Sequence, residues 1–478
     1  MIKEQIPTDL LQSITTQQAW HYMVLPFERQ GDQLELYIAD GQNELGTAEE
    51  LEVLLGCSIQ LKAVEGELLR REIAKYYRRP NDQRTQSQNL NFQSEQAKDF
   101  LPQLLREAKQ LGSSDIHIEP FEESSRIRIR IDGKLIERYV LEKAEYPSLV
   151  NKVKIQANLD IAEKRLPQDG RINLRLEDNS QLDVRVSVLP TLHGEKIVLR
   201  LLSNDATNID LNILGFNEQD LDNYLEGVKR PNGIVLISGP TGSGKTTTLY
   251  ATLKLLNQST TNIVTIEDPI EYTLEGINQV QLKEQIGLDF PSAMRTFLRQ
   301  DPDIIMVGEI RDKATASMAI RASLTGHLVL STVHTNSAWG IVARMIDMGI
   351  PAYLLADTLN TAVAQRLVRL LCPHCKTSVP FEAHQLPKRY VLPRPLKEVA
   401  AAKGCEHCFY TGYKGRKAVY EVIPIDLELS RHIKDEDLNV GDLLEERGVS
   451  SLAENAFALL EAGLTTTTEV YPILASGA

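Results

Sequence analysis

No apolar run in this sequence approaches the length of a membrane-spanning helix. Such a helix needs about 20 consecutive apolar residues, and every apolar stretch of the 478-residue chain is far shorter. The first residues, Met1–Asp9, also lack the hydrophobic segment of a secretory signal peptide. We therefore expect a cytoplasmic protein without a transmembrane segment.

Basic residues are scarcer than acidic ones. The chain has 52 Lys and Arg against 65 Asp and Glu, a formal net charge of −13, and only 6% of its residues are aromatic. A protein that wraps nucleic acid needs a cationic surface for the phosphates, and a groove for single strands also needs aromatic side chains on which the bases stack. The composition therefore argues against nucleic acid as a partner.

Cysteine is rare as well, with five in the chain. Four of them form two C-x-x-C pairs separated by 29 residues: Cys372, Cys375, Cys405 and Cys408. In a reducing compartment such pairs indicate metal or redox chemistry rather than disulfides. Because four thiolates complete a closed tetrahedral site, we expect structural zinc. Redox pairs, unmetallated thiols and ligation by His374 or His407 instead are the alternatives.

The most informative stretch is Gly239–Thr246, which fits the phosphate-binding pattern G-x-x-x-x-G-K-[ST]. Lys245 supplies a positive charge, and the Thr246 hydroxyl is placed to bind magnesium. An apolar strand, Gly233–Ser238, precedes the loop and a helical pattern, Thr247–Leu256, follows it, which is the context that a P-loop requires. We expect the following residues to bind a nucleotide: Gly239, Pro240, Thr241, Gly242, Ser243, Gly244, Lys245, Thr246 and Thr247.

Three more strands are predicted by continuous apolar runs: Ile263–Ile266, Ile304–Val307 and Leu328–Val333. Such runs between helices indicate parallel strands, and ligands bind beyond the carboxyl ends of parallel strands. Glu267, Glu309 and His334 follow these ends. Phosphoryl transfer needs magnesium and an oriented water, so Glu309 suits the magnesium and Glu267 suits the water. The reverse assignment, or simple helix capping by these acids, also fits the sequence.

Composition and pattern divide the chain into six segments. We predict an α/β amino-terminal domain (1–78), a polar flexible linker (79–96), a second α/β domain (97–204), the P-loop core (205–370), the cysteine insert (371–410) and a largely helical carboxy-terminal region (411–478). In the second domain, Arg126, Arg128 and Arg130 alternate with isoleucines, which predicts a sheet with one basic face.

Seven stretches together resemble the secretion ATPase superfamily of type II secretion and type IV pilus assembly (GspE/PulE/PilB-like proteins). They are Gly112–Glu119, Leu166–Arg171, Leu189–Lys196, the P-loop, Glu267–Glu271, Val307–Asp312 and Thr325–Thr335. The similarity covers nearly everything after about residue 97, and residues 1–78 resemble a shortened form of the docking domain of these ATPases.

The resemblance implies a multidomain α/β protein with a RecA-like P-loop NTPase core, a PAS-like α/β second domain, a small zinc-binding insert and a short α/β amino-terminal domain. It implies a homo-hexamer that uses ATP and Mg²⁺. In it, Lys245 and Thr246 act in the P-loop, Glu267 in an acidic box, Glu309 as the Walker B carboxylate and His334 in a histidine box. It also implies that four arginines reach the phosphates, the first two by closure of the second domain: Arg171, Arg185, Arg295 and Arg299.

The resemblance further implies a motor for protein secretion or pilus assembly. The cysteine insert favours the assembly branch, because pilus retraction motors resemble the core but lack the insert. The expected partner is a cytoplasmic domain of an inner-membrane platform protein, bound through residues 1–78 at the inner face of that membrane. A RecA-like DNA-translocating motor and a nucleotide-gated scaffold that does not hydrolyse ATP are the alternatives.

Overall fold

The computed structural model describes residues 10, 13–14, 16–31, 33–40, 44–55, 57–76, 100–175, 181–202 and 210–476. The chain divides into two compact units, residues 1–89 and 90–478. Within the described ranges, no helix combines the length and the apolar character that crossing a bilayer requires. The linker expected at 79–96 lies outside the described residues and stays a prediction.

The first unit is a small α/β sheet. Its described elements are the helix Thr16–His21, β1 (Val24–Gln30), β2 (Gln33–Ala39), the helix Glu44–Leu55, β3 (Ser58–Val64) and the helix Gly66–Tyr76. Strand β2 is central, antiparallel to β1 and parallel to β3. Leu36, Ile38, Leu51 and Leu69 are buried between the sheet and the helices, so this unit has a hydrophobic core of its own.

The second unit begins with an antiparallel sheet of six strands. Its elements are the helix Phe100–Gln110, β4 (Asp115–Pro120), β5 (Ser124–Ile131), β6 (Lys134–Glu142), the helix Tyr146–Gln156, β7 (Gln168–Arg175), β8 (Gln181–Thr191) and β9 (Gly194–Leu202). The strand order is β6-β5-β4-β9-β8-β7. Ile127 and Ile129 point to the buried face, where both helices pack, and the turn at Asp132-Gly133 joins β5 to β6 as expected.

The opposite face of this sheet carries the arginines of β5, but it is not simply basic. Glu119 on β4 accepts hydrogen bonds from Arg126 at 2.9 Å and Arg128 at 2.8 Å, and Lys196 lies 3.1 Å away. Burial alone would raise the pKa of Glu119, but these three cations outweigh it and hold that pKa at about 2. Asp115 pairs with Arg130 in the same way. The positive charges on this face are therefore largely neutralised by ion pairs with Glu119 and Asp115.

The largest element is a sheet of seven strands. They are β10 (Gly233–Ser238), β11 (Ile263–Glu267), β12 (Asn278–Gln281), β13 (Ile304–Val307), β14 (Leu328–Val333), β15 (Leu359–Leu371) and β18 (Tyr413–Pro424). The order is β12-β11-β13-β14-β10-β15-β18, and every pair is parallel except β15 with β18. The continuous apolar runs of the sequence thus become parallel strands buried on both faces, as predicted.

Helices cover both faces of this sheet. They are Glu218–Val228, Lys245–Leu256, Phe290–Phe297, Lys313–Leu324, Gly340–Asp347, Ala352–Thr358, Leu427–Lys434, Gly441–Glu446, Leu452–Glu461 and Thr467–Ser476, with 3-10 turns at Leu211–Ile213, Glu284–Ile286, Ala383–Gln385 and Glu406–Cys408. Between β15 and β18 the chain forms a two-stranded sheet of β16 (Thr377–Pro380) and β17 (Glu398–Ala401).

The region after residue 410 departs from the expectation of a largely helical segment. Its first element, β18, is a 12-residue strand that extends the main sheet. Helices follow only from Leu427 onward. The strand forms there because Ala418, Val419, Tyr420, Val422 and Ile423 are buried against elements on both faces of the sheet, and this tertiary environment is not visible in the local sequence.

Candidate active site

The P-loop follows a fully buried strand of the main sheet. All six residues of β10 are buried between β14 and β15. Gly239, Gly242 and Gly244 have φ of 149°, 81° and 89°, conformations that side chains disfavour. A Cβ on Gly239 would lie 2.5 Å from the carbonyl oxygen of Gln365 on β15. Glycine is therefore required for the loop to fold this closely against the sheet.

The helix Lys245–Leu256 begins directly at the end of this loop, with Gly244 as its left-handed N-cap. The amide groups of its first turn point toward the loop, as an anion site requires. Lys245 Nζ donates to the carbonyl oxygens of Gly239 at 2.7 Å and Pro240 at 3.1 Å. Burial lowers the pKa of Lys245, whereas the nearby negative charge of Glu309 opposes that change.

Ser243 supplies evidence that the loop is shaped for a ligand. Its side chain is buried, with 3% exposure, and Oγ has no hydrogen-bond partner among the described residues. A buried hydroxyl without a partner is costly in a native fold. A phosphate oxygen in the loop would satisfy it. Thr246, in the first helical turn, is exposed and thus accessible to a magnesium ion.

Glu309 and His334 meet at the carboxyl edge of the sheet beside this loop. Glu309 follows β13 and His334 follows β14, the strand next to β10. His334 Nε2 lies 3.5 Å from Glu309 Oε2, and Arg311 forms an ion pair with Oε1 of the same carboxylate. Since Glu309 also acts electrostatically on Lys245, the sequence-predicted trio of Lys245, Glu309 and His334 is brought together.

Glu267 lies farther from the loop than the sequence alone indicated. Strands β13 and β14 separate its strand from β10, a distance of about 14 Å between strand axes. Its carboxylate is 2% exposed and accepts hydrogen bonds from Thr265 Oγ1 at 2.6 Å, Gln279 Nε2 at 3.1 Å and the Tyr250 hydroxyl. Burial raises the pKa of Glu267, although these donors oppose the rise.

Two of the four predicted arginines line a cleft between the two sheets of the second unit. Arg185 donates to the carbonyl oxygen of Ile270 and lies 3.3 Å from Glu271 Oε2, next to the tip of β11. Arg171 is exposed and directly across from Arg185 in the β7–β8 pair. The cleft measures about 780 Å³, and Arg200 also lines it. These cations face the acidic strand tip rather than the P-loop.

The other two predicted arginines lie elsewhere. Arg295, in the helix Phe290–Phe297, and Arg299, just after it, are both exposed. Arg299 Nη1 donates to the carbonyl oxygen of Arg295 at 2.8 Å. In the part of the chain that the structure describes, neither side chain forms a hydrogen bond or ion pair with the P-loop. The proximity of these two residues to the phosphates stays a prediction.

Residues on β15 support the P-loop and were missed in the sequence. Gln365 Oε1 accepts from Thr248 Oγ1 at 2.9 Å, which joins β15 to the P-loop helix. Arg366 Nη2 donates to the carbonyl oxygen of Asn336 at 2.8 Å, and its charge helps to lower the pKa of Lys245. The available signal was the polar pair Gln365-Arg366, which follows the apolar run Ala362–Ala364.

The four cysteines form one cluster, with all their sulfur atoms within 4.8 Å of one another. The Sγ atoms of Cys372 and Cys405 lie 3.9 Å apart, and those of Cys375 and Cys408 lie 3.7 Å apart. A tetrahedral zinc with Zn–S bonds of about 2.3 Å separates its sulfurs by about 3.8 Å, so the donor set fits zinc.

Backbone and side-chain contacts around the cluster favour metal ligation by the four cysteines over redox pairs, unmetallated thiols or histidine ligands. The amides of Cys405 and Gly412 each donate to Cys408 Sγ at 3.2 Å, as they would to a thiolate. All four cysteines are free, so the cluster holds no disulfide. His374 and His407 stack on each other, with ring centroids 4.2 Å apart, on exposed positions outside the cluster.

Comparison with protein families gives two matches that together span most of the chain. A family model described as Type II/IV secretion system protein matches residues 92–472. A second, described as MshEN domain, matches residues 3–83. The junction between the two matches falls near the division between the two compact units.

Similar proteins from several bacteria are named for type II secretion or type IV pilus assembly. The chain is 39% identical to the type IV pilus assembly ATPase PilB of Myxococcus xanthus, over 97% of this chain and 86% of the relative. It is 46% identical to the type II secretion system ATPase E of Vibrio cholerae, over 77% and 73%. It is 39% identical to the type II secretion system protein E of Pectobacterium carotovorum, over 94% of each.

Solved structures share the fold. The X-ray structure of the Legionella pneumophila ATPase DotB matches with a TM-score of 0.60 at 22% identity, covering 79% of this chain and 96% of DotB. The crystal structure of the pilus retraction motor PilT with bound ADP matches with a TM-score of 0.53 at 24% identity, covering 78% and 96%. The RecA-like architecture with a separate antiparallel sheet is thus confirmed.

Proposed function

Because this chain belongs to the Type II/IV secretion system protein family, we propose that it hydrolyses ATP to drive type II secretion or type IV pilus assembly. The observation that carries the proposal is the meeting of Lys245, Glu309 and His334 beside a glycine loop. In that loop the buried hydroxyl of Ser243 has no hydrogen-bond partner within the described part of the chain. The named relatives give no support to a DNA-translocating motor.

In this proposal the loop binds the phosphates before any chemistry occurs. Lys245 exchanges its two backbone oxygens for phosphate oxygens, and Ser243 Oγ gains the partner that it lacks. Magnesium bound by Thr246 would neutralise phosphate charge as it does in other P-loop enzymes. Glu309, once separated from Arg311, would order the water around that ion, and His334 would donate a hydrogen bond to the terminal phosphate.

Glu267, at the tip of β11 next to the strand that precedes Glu309, then activates or positions the attacking water. Arg185 and Arg171 add positive charge from the second sheet once Arg185 releases Glu271. Arg295 and Arg299 are exposed, which suits contact with the nucleotide of a second copy in a homo-hexamer.

We further propose that the four-cysteine cluster binds zinc, supported by its sulfur spacing. We place the motor in the cytoplasm at the inner face of the inner membrane. There, residues 1–78 bind the cytoplasmic domain of a secretion or pilus platform protein. The support for this placement is that relatives matching over most of this chain are named as a type IV pilus assembly ATPase and a type II secretion system protein.

The test is Mg²⁺-dependent phosphate release from ATP by the purified full-length protein. Lys245→Ala should abolish turnover, a loss of at least about 100-fold, because the phosphates lose their cation in a buried site. Lys254→Ala is the matched control, since Lys254 is an exposed lysine at the far end of the same helix and should leave the rate unchanged. Normal turnover in Lys245→Ala would refute the proposal.

A further inference from the structure

We propose that Tyr250 is a positioning residue whose hydroxyl holds the Glu267 carboxylate in its working orientation. The inference rests on the proposed function, in which Glu267 acts on the attacking water. Tyr250 does not reach the P-loop, and its sequence context, inside an apolar helical pattern, marks it only as a core residue.

Tyr250 connects the P-loop helix to the tip of β11. It lies in the second turn of the helix that starts at Lys245, and its side chain is 1% exposed. Its hydroxyl donates to Glu267 Oε2 and accepts from the amide of Glu271 at 3.3 Å. Any shift of this helix when phosphates bind is therefore transmitted to the carboxylate and to the segment after it.

The hydrogen bonds to Glu267 leave one position open. An ionised carboxylate offers about four lone-pair sites, two on each oxygen. Thr265 and Gln279 both donate to Oε1, and Tyr250 donates to Oε2. One acceptor site on Oε2 is left, and the direction of that site is set by Tyr250. A water bound there would be held by a fixed carboxylate, which is the preorganisation that catalysis needs.

The other groups around Glu267 do not substitute for Tyr250. Gln279 comes from β12, and Thr265 lies on the same strand as Glu267. From the following loop, the negative charge of Glu271 raises the pKa of Glu267, and Tyr272 packs edge-on against the Tyr250 ring at 4.6 Å. Gly308, directly after β13, lies close to the backbone of Glu267 and has no side chain to offer. The region contributes no cation that forms an ion pair with Glu267 among the described residues.

The sign of the pH effect follows from these contacts. Burial already raises the pKa of Glu267, and the Tyr250 hydroxyl opposes that rise. Removing the hydroxyl should therefore raise the pKa further and leave less of the carboxylate ionised at a given pH. Burial also raises the pKa of Tyr250, so this side chain stays a donor throughout the working range.

The experiment compares Tyr250→Phe with the wild-type full-length protein in steady-state ATP hydrolysis across pH. We expect kcat at pH 7 to fall about tenfold, KM to stay unchanged, and the acidic limb of the kcat profile to move up by about one pH unit, as loss of one charge-assisted hydrogen bond predicts. Binding of a fluorescent ATP analogue and the melting temperature should stay close to wild type.

Tyr272→Phe is the matched control, because it removes a hydroxyl from the same aromatic pair without removing a bond to Glu267. A double-mutant cycle gives the readout that a purely structural role would not produce. In a Glu267→Gln background, Tyr250→Phe should have no further effect on kcat, since both changes act through one carboxylate. Should Tyr250→Phe fail to fold, 3-fluorotyrosine at position 250 provides a stronger donor, which should move the acidic limb to lower pH.

Three outcomes overturn the inference: an unchanged pH profile in Tyr250→Phe, an equal loss in Tyr272→Phe, or additive losses in the double mutant. An unmoved acidic limb with fluorotyrosine also overturns it. These results differ from failure of the proposed function, which appears as absence of Mg²⁺-dependent ATP turnover in the wild-type protein itself.

Discussion

The carboxylate of Glu309 is held by a weak ion pair. Glu309 is 14% exposed in its side chain and is bound by Arg311, with His334 at 3.5 Å. An ion pair with an exposed arginine stabilises little, because solvent screens it. In the proposed function, a doubly charged magnesium ion near Thr246 would compete for this carboxylate at modest cost and would displace Arg311 from it.

Replacing Glu309 with Gln should separate binding from hydrolysis. The amide keeps the size of the side chain but loses the charge that orders magnesium and its water, so kcat should fall about 100-fold or more while ATP affinity stays within a few-fold. Single-turnover hydrolysis and nucleotide titration measure the two quantities. Glu275→Gln, an exposed acid on another edge, serves as the control. Wild-type hydrolysis in Glu309→Gln contradicts the assignment.

At this scale the sequence located the polar residues at the strand ends but not the environment of each. Glu267, Glu309 and His334 were recognisable because each follows a continuous apolar strand. The burial of Glu267 could not be recognised from the sequence, because it depends on Tyr250 and Gln279, which approach from other elements. Nothing local distinguishes these two from an ordinary core aromatic and a surface amide.

At the scale of elements, the antiparallel pair β15–β18 links the P-loop to the cysteine cluster. Gln365 on β15 and Tyr420 on β18 both contact Thr248 of the P-loop helix. At the other end of the same strands, the amide of Cys372 donates to the carbonyl oxygen of Gly412 at 2.9 Å, next to the sulfur cluster. The cluster thus fixes the far end of the pair whose middle supports the nucleotide loop.

Loss of the cluster should destabilise the protein without altering its chemistry directly. Cys405→Ser, or removal of metal with a strong chelator, should lower the melting temperature by about 5 °C or more, because a metal that binds only the folded cluster adds its binding free energy to folding. Calorimetry and elemental analysis for zinc measure both effects. Cys57→Ser, in the first unit, is the control for metal content and should leave the bound zinc unchanged. An unchanged melting temperature with no bound zinc contradicts the metal assignment.

Strands were predicted correctly from the sequence where burial on both faces of the sheet determines their composition. The strands β10, β13 and β14 coincide with the apolar runs of the sequence, because burial on both faces demands such runs. Strand β18 was missed because it begins with Tyr413-Lys-Gly-Arg-Lys417, a polar stretch that only its antiparallel pairing with β15 makes extended.

At the scale of the whole molecule, the chain consists of two units with separate cores. The first unit buries its own hydrophobic cluster, and the second contains every residue proposed for ATP hydrolysis. Units of this kind fold independently when few contacts cross between them. Sequence composition indicated the same division from the polar stretch near residues 79–96, although the domain limits themselves stay predictions.

Deleting residues 1–89 should therefore abolish binding of the proposed platform protein and leave ATP hydrolysis intact. The remaining chain should hydrolyse ATP with a kcat within about threefold of the full-length value, since no proposed catalytic residue is lost. It should no longer retain the cytoplasmic domain of the proposed membrane platform protein in a pull-down, whereas the full-length protein should retain it. ATPase activity that disappears with the deletion, or platform binding that survives it, contradicts this division of labour.

The bonds that Lys245 forms within its own loop have a consequence for how Lys245→Ala is interpreted. The ammonium group donates to two carbonyl oxygens of the loop to which it belongs, so it braces the backbone as well as supplying a positive charge. The alanine variant should therefore loosen the loop in addition to removing that charge, and a Lys245→Arg variant, which keeps the charge but not the shape of the group, separates the two effects.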